Sequence, residues 1–107
     1  MSRDVQAEIK QTVDENPIVL FMKGNPTFPQ CGFSAQVAGI MGQLKVPYVG
    51  VNVLADPEVR QGIKEFSNWP TIPQLYIKGE FIGGCDIATQ LYESGDLQKK
   101  VEAALAE

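Results

Sequence analysis

Cys31 and Cys85 are the two thiols of a 107-residue chain that contains no histidine. The lack of His removes Cys–His nucleophile pairs, Ser–His–Asp triads and imidazole metal ligation. What remains is sulfur chemistry: attack on another sulfur, or thiolate ligation of a metal, both of which need the deprotonated form. Cys31 heads the stretch Cys31-Gly32-Phe33-Ser34. Three positions on, where a dithiol redox site carries its second cysteine, stands Ser34, which cannot close a disulfide with Cys31.

Helical periodicity begins just after Cys31, so the thiol sits at a helix N-terminus. Unpaired backbone N–H groups and the macrodipole favour an anion there. Lys23 ends the preceding apolar run and can add positive charge nearby. Both effects raise the thiolate fraction. A free cysteine is also often a small buried residue, and spacing alone leaves that reading open. Gly32 leaves room for a ligand or partner backbone. Phe33 is either the first residue of the helix's apolar stripe or an exposed aromatic beside the thiol. Ser34 is suited to satisfying a backbone donor in the first helical turn.

The elements that must position these residues follow from periodicity. Val5, Ile9 and Val13 recur every fourth residue and predict a helix, with Ser2 as a cap and Asn16-Pro17 as the stop. Ile18–Met22 is apolar without alternation, which predicts a central strand buried on both faces. Lys23 to Gln30 forms a loop with two prolines. Phe33, Val37, Ile40, Met41 and Leu44 make the stripe of the next helix. Pro47 opens a second strand over residues 48–53. Asp56-Pro57 starts a helix with Val59, Ile63 and Phe66 inward, and Trp69-Pro70-Thr71-Ile72-Pro73 breaks it. Residues 74–83 predict a β-hairpin around Lys78-Gly79-Glu80. Asp86 can cap a helix that ends at Ser94-Gly95, and Asp96 starts a last one with Leu97, Val101 and Leu105 inward. The order α-β-α-β-α-β-β-α-α predicts an α/β layer sandwich: a mixed sheet, parallel through its crossovers and antiparallel at the hairpin.

Composition bounds the function further. One domain, residues 1–107, is expected at this length. The net charge of −4 disfavours nucleic-acid and anionic-membrane binding. No apolar run reaches the roughly 20 residues of a membrane helix, and the N-terminus lacks a signal-peptide pattern. Two cysteines are too few for a secreted disulfide scaffold, so a reducing compartment, the cytosol, is expected.

Four motifs in order give a more specific reading. Lys23, Cys31-Gly32-Phe33-Ser34, Trp69-Pro70-Thr71-Ile72-Pro73 and Gly83-Gly84-Cys85-Asp86 together resemble the monothiol glutaredoxins of the Cys-Gly-Phe-Ser type, over essentially the whole chain. The resemblance implies a thioredoxin-like fold with a central four-stranded mixed sheet flanked by helices on both faces. It implies a glutathione site. The Ile72-Pro73 bond would be cis and face Cys31, with the Ile72 backbone pairing the extended tripeptide. The turn at Cys85 and Asp86 would hold the γ-glutamyl end, with Asp86 accepting from its ammonium. Lys23 and Arg60 would bind the glycine carboxylate, and Lys64, one turn from Arg60, is a weaker candidate. Cys85 is either a small packed residue or a thiol able to pair with Cys31 under oxidation.

Two functions follow from the resemblance. The first is a carrier: two copies of Cys31 and two glutathione thiols supply the four thiolates of a [2Fe–2S] cluster, which bridges a homodimer and passes to apo client proteins. A BolA-like protein is a partner that the family also implies. The second is a glutathione-dependent oxidoreductase that removes glutathione from mixed disulfides through Cys31. Gly32-Phe33, in place of the Pro-Tyr of dithiol glutaredoxins, and the Pro26–Pro29 loop weigh against it.

Overall fold

The computed structural model describes residues 3–106. Its frame is the strand with no alternation. β1 (Ile18–Met22) is buried at every position. It pairs in parallel with β2 (Val49–Asn52) and antiparallel with β3 (Gln74–Ile77), which in turn pairs antiparallel with β4 (Glu80–Gly83). The sheet order is β2-β1-β3-β4. Side chains alternate across a strand. Ile18, Leu20 and Met22 therefore enter one core with Val37, Met41, Leu97 and Val101, while Val19 and Phe21 enter the other with Ile9, Val13 and Ile63. Both faces are covered, so every side chain of β1 is apolar. Full burial of each contributes roughly 1.5–3 kcal/mol.

The first core lies under α2 (Gly32–Leu44), α4 (Cys85–Ser94) and α5 (Asp96–Leu105). The second lies under α1 (Val5–Glu15) and α3 (Pro57–Ser67). The expected α/β layering and its mixed sheet are what the structure shows, with helices on both faces.

Local departures have local causes. Ser2, the expected cap of α1, lies outside the described residues; Asp4 Oδ1 accepts from the Ala7 N–H at 3.0 Å and caps the helix. β2 is shorter than residues 48–53 because the Asn52 side chain accepts from Leu54 N–H at 2.9 Å and turns the chain into a short 3-10 segment, Val53–Ala55. Asp86 is not the cap of α4. The helix starts at Cys85 behind Gly84, and Asp86 stands inside the first turn, where its charge complements the helix dipole. Phe33 does not join the stripe of α2. It is 62% exposed, while Val37, Ile40 and Met41 are buried.

Arg3 fastens the second layer. Its guanidinium meets Glu8 of α1 at 2.7 Å, and Asp56 and Glu58 at the start of α3 at 2.9 and 2.8 Å. Asp56 meanwhile caps α3 through the Glu58 and Val59 N–H groups.

Candidate functional site

The loop between β1 and α2 delivers Cys31, and it is closed by its own hydrogen bonds. Asn25 Oδ1 accepts from the N–H of Thr27 at 3.0 Å and of Phe28 at 2.8 Å. Gln30 N–H donates to Lys23 C=O at 2.8 Å. Two glycines permit the close fit. Gly24 has φ +87°, and a Cβ there would lie 2.5 Å from Phe28 O. A Cβ on Gly50 of β2 would lie 2.8 Å from the Pro26 ring, which rests on that glycine. The loop thus stands against β2, with Phe28 68% exposed on its outer side.

Cys31 is the N-cap of α2, with extended backbone and its C=O accepting from Ala35 N–H at 2.8 Å. The Ser34 backbone N–H does most to hold the Cys31 thiol below its usual range. The Phe33 N–H, the Lys23 charge and the Ser34 hydroxyl act in the same direction, and burial opposes them. Ser34 is fully buried. Its Oγ accepts from the Lys23 N–H at 3.0 Å, which joins the end of β1 to the first turn of α2.

Cys85 behaves differently. Burial pushes its thiol up, the charges of Asp86 and Cys31 push the same way, and the Thr89 hydroxyl partly opposes them. Thr89 Oγ1 donates to Cys85 C=O at 2.8 Å and accepts from Gln36 Nε2 at 2.8 Å, tying α4 to α2. Neither cysteine is in a disulfide.

Both thiols line one cavity of about 540 Å³. Its walls come from four separate segments: Lys23, Cys31 with Phe33, Trp69–Pro73, and Gly84–Ile87, with Lys64 added from α3. The Ile72-Pro73 bond is cis. Of the residues singled out in the sequence, Lys23, Cys31, Ile72, Pro73, Cys85 and Asp86 meet here. Arg60 is exposed on α3 and is not among the lining residues; Lys64, one turn further, is. Periodicity did not single out Trp69, Thr71 or Ile87 as site residues. Trp69 leans on Phe81 with ring centroids 5.9 Å apart, a contact between segments that no local pattern announces.

Chemically, the cavity joins a thiol biased toward thiolate, the Lys23 and Lys64 side chains and the backbone of residues 69–73, which bends at Thr71 and Ile72. It suits a small anionic molecule carrying sulfur. Among the described residues, no three His, Cys, Asp or Glu side chains converge to hold a metal ion. No helix of the described residues is long and apolar enough to cross a membrane.

The comparisons with known proteins agree with this geometry. The glutaredoxin family model matches residues 18–82. An uncharacterised monothiol glutaredoxin of Synechocystis sp. is 53% identical, covering 99% of both chains. Monothiol glutaredoxin-5, mitochondrial, of Saccharomyces cerevisiae is 50% identical over 99% of this chain and 73% of its own. The solution structure of reduced poplar apo GrxS14 superposes with a TM-score of 0.82 at 50% identity, covering 96% of this chain and 94% of that one. The chain belongs to the glutaredoxin family, with the thioredoxin-like fold, and within it to the monothiol, Cys-Gly-Phe-Ser type.

Proposed function

We propose that the chain binds glutathione in the Cys31 cavity and, with that glutathione, carries a [2Fe–2S] cluster between two copies of itself for transfer to apo-proteins. The observation that carries the reading is the single thiol biased toward thiolate, Cys31, at the wall of a cavity with cationic side chains and no second cysteine in its own helical turn. Glutathione lies along the Trp69–Pro73 wall, its cysteine beside Cys31 and its backbone paired with Ile72. Lys23 and Lys64 attract its glycine carboxylate, with Arg60 adding charge from further along α3. The Cys85 and Asp86 N–H groups at the start of α4 receive the γ-glutamyl carboxylate, and the Asp86 side chain accepts from the ammonium.

A [2Fe–2S] cluster takes four thiolates. One chain offers Cys31, since Cys85 is held toward the protonated thiol. The donor set therefore fits the cluster only when a second copy and two glutathione thiols complete it. Ligands that are not covalently part of the protein exchange readily, which suits a cargo to be handed on to client proteins, with a BolA-like protein as a partner. A reducing compartment such as the cytosol keeps both thiols available.

The same low-lying thiol supports a second reading, removal of glutathione from protein mixed disulfides. The Cys31 thiolate attacks the glutathione sulfur and releases the protein thiolate. A second glutathione thiolate then attacks the Cys31–glutathione disulfide, giving oxidised glutathione and free Cys31.

Anaerobic reconstitution with iron, sulfide and glutathione tests the ranking by visible spectrum and size. A coloured dimer that returns to a colourless monomer when the cluster is removed is expected, with Cys31→Ser colourless and Cys85→Ser coloured. A colourless monomer throughout overturns the carrier reading. Fast turnover of a glutathione mixed disulfide by the cluster-free protein reverses the order of the two.

A further inference from the structure

Gln74 is the first residue of β3, directly after Pro73, and its polar side chain is fully buried beneath the cavity wall. An amide has two donor hydrogens and one acceptor oxygen, and burial requires all of them to be used. Gln74 Nε2 donates to Trp69 C=O and to Thr71 C=O, both at 3.2 Å. Its Oε1 accepts from the Tyr76 hydroxyl at 3.2 Å. Two carbonyls on one side and a hydroxyl on the other identify which end is nitrogen.

Tyr76 is held in place in turn. Its ring packs against Phe21, Phe66 and Phe81, and burial pushes its hydroxyl up to about 12. It stays a neutral donor, so the Gln74 amide has one orientation. The wall has a second anchor: Trp69 N–H donates to Ser67 Oγ and to Lys64 C=O, both at 3.1 Å.

The peptide unit is planar and trans, so a C=O and the N–H that follows it point in opposite directions. Drawing the Thr71 carbonyl inward to Gln74 turns the Ile72 N–H outward. Among the described residues that N–H has no hydrogen-bond partner. The Trp69 carbonyl is also drawn inward, but Pro70 follows it and has no N–H to present. The clamp therefore exposes one donor, at Ile72, on the segment that lines the cavity.

We propose that Gln74 is a positioning residue: by holding the Thr71 carbonyl it aims the Ile72 N–H at the cysteinyl carbonyl of bound glutathione. The inference rests on the glutathione reading above and names the buried residue on which that contact depends. Gln74 touches no ligand itself.

The test is titration of the full, isotope-labelled chain with reduced glutathione, following backbone amide resonances and affinity together. In the wild-type chain glutathione shifts the Ile72 amide and the Cys85 amide. Gln74→Met keeps the side-chain length and removes both donors. It is expected to weaken binding roughly tenfold and to lose the Ile72 shift while keeping that of Cys85, a split that general loosening of the fold would not produce. A folded Gln74→Met chain with an unchanged Ile72 shift and affinity overturns the inference and leaves the glutathione reading standing. If Gln74→Met does not fold, Tyr76→Phe keeps the ring and frees the Gln74 amide. It should weaken binding about threefold with a reduced Ile72 shift, and an unchanged response overturns the inference. No binding by the wild-type chain overturns the glutathione reading and this inference with it.

Discussion

The two cysteines make a controlled comparison within one molecule. Each stands at the N-terminal end of a helix, and both line the same cavity. Their thiols nonetheless move in opposite directions. The helix dipole is common to both, so it does not decide the outcome. What differs is the local surroundings. Cys31 precedes its helix as the N-cap and meets first-turn N–H groups, the Ser34 hydroxyl and Lys23. Cys85 is already inside the first turn of its helix, more deeply desolvated and beside the Asp86 carboxylate. A helix terminus helps a thiolate only where donors and cations face the sulfur itself.

The largest expected effect is selectivity. Iodoacetamide at neutral pH, with peptide mapping by mass spectrometry, should modify Cys31 at least about tenfold faster than Cys85. Equal rates would break the comparison outright. Ser34→Ala comes next. It leaves the part-buried Lys23 N–H without its acceptor, so the chain should lose about 1–3 kcal/mol in denaturant unfolding, and the ultraviolet thiolate titration of Cys31 should move upward, toward Cys85. Lys23→Gln removes one partly solvated charge and should slow Cys31 alkylation by only about threefold, less at high salt.

The smallest effect is on stability against pH, and the two thiols have opposite signs. Cys31 is lowered on folding. Between its folded value and an unfolded value of roughly 8.5 the unfolded chain holds more protons, so this thiol adds stability as pH rises and loses it as pH falls through the folded value. Cys85 is raised on folding. Its contribution is present below the unfolded value and is lost as pH rises through the folded one. Urea unfolding across that range should therefore fall more steeply with rising pH in Cys31→Ser than in the wild-type chain, and less steeply in Cys85→Ser. The same slope in all three chains would show that the folded environments of the thiols are alike.

The frame of the molecule was legible in the sequence wherever one local cause sufficed. The unbroken apolar run of β1 announced a strand covered on both faces, and Asp56-Pro57 announced the start of α3. The four motifs that carry the family resemblance also converge on one cavity. What stayed hidden depends on partners distant in the chain. Arg3 pairs with Asp56 and Glu58, more than fifty residues away. Ser34 had a bland reading as a cap inside its own helix, yet its partner is the N–H of Lys23 on the preceding strand. Phe33 fits the helical spacing of α2 and is exposed all the same, because the cavity occupies the space beside it. Lys64 rather than Arg60 lines that cavity; the two share one face of α3 a turn apart, and which turn reaches the cavity is a matter of where the helix sits along its axis, which spacing alone does not set. Gln74 follows the proline of a visible motif, but nothing in its neighbours says that it holds two carbonyls behind the wall.

The position of β1 in the sheet also has a consequence for the chain as it is made. Its two neighbours are β2, ending at Asn52, and β3, ending at Ile77. This wholly apolar segment is thus synthesised before both of its neighbours, and its second flank is covered only by residues that follow some 55 positions later. At about 5–20 residues per second, that leaves Ile18–Met22 without its full set of partners for roughly 3–11 s on the ribosome. The interval in which this protein most needs protection from self-association is therefore set by strand order, before any thiol chemistry begins.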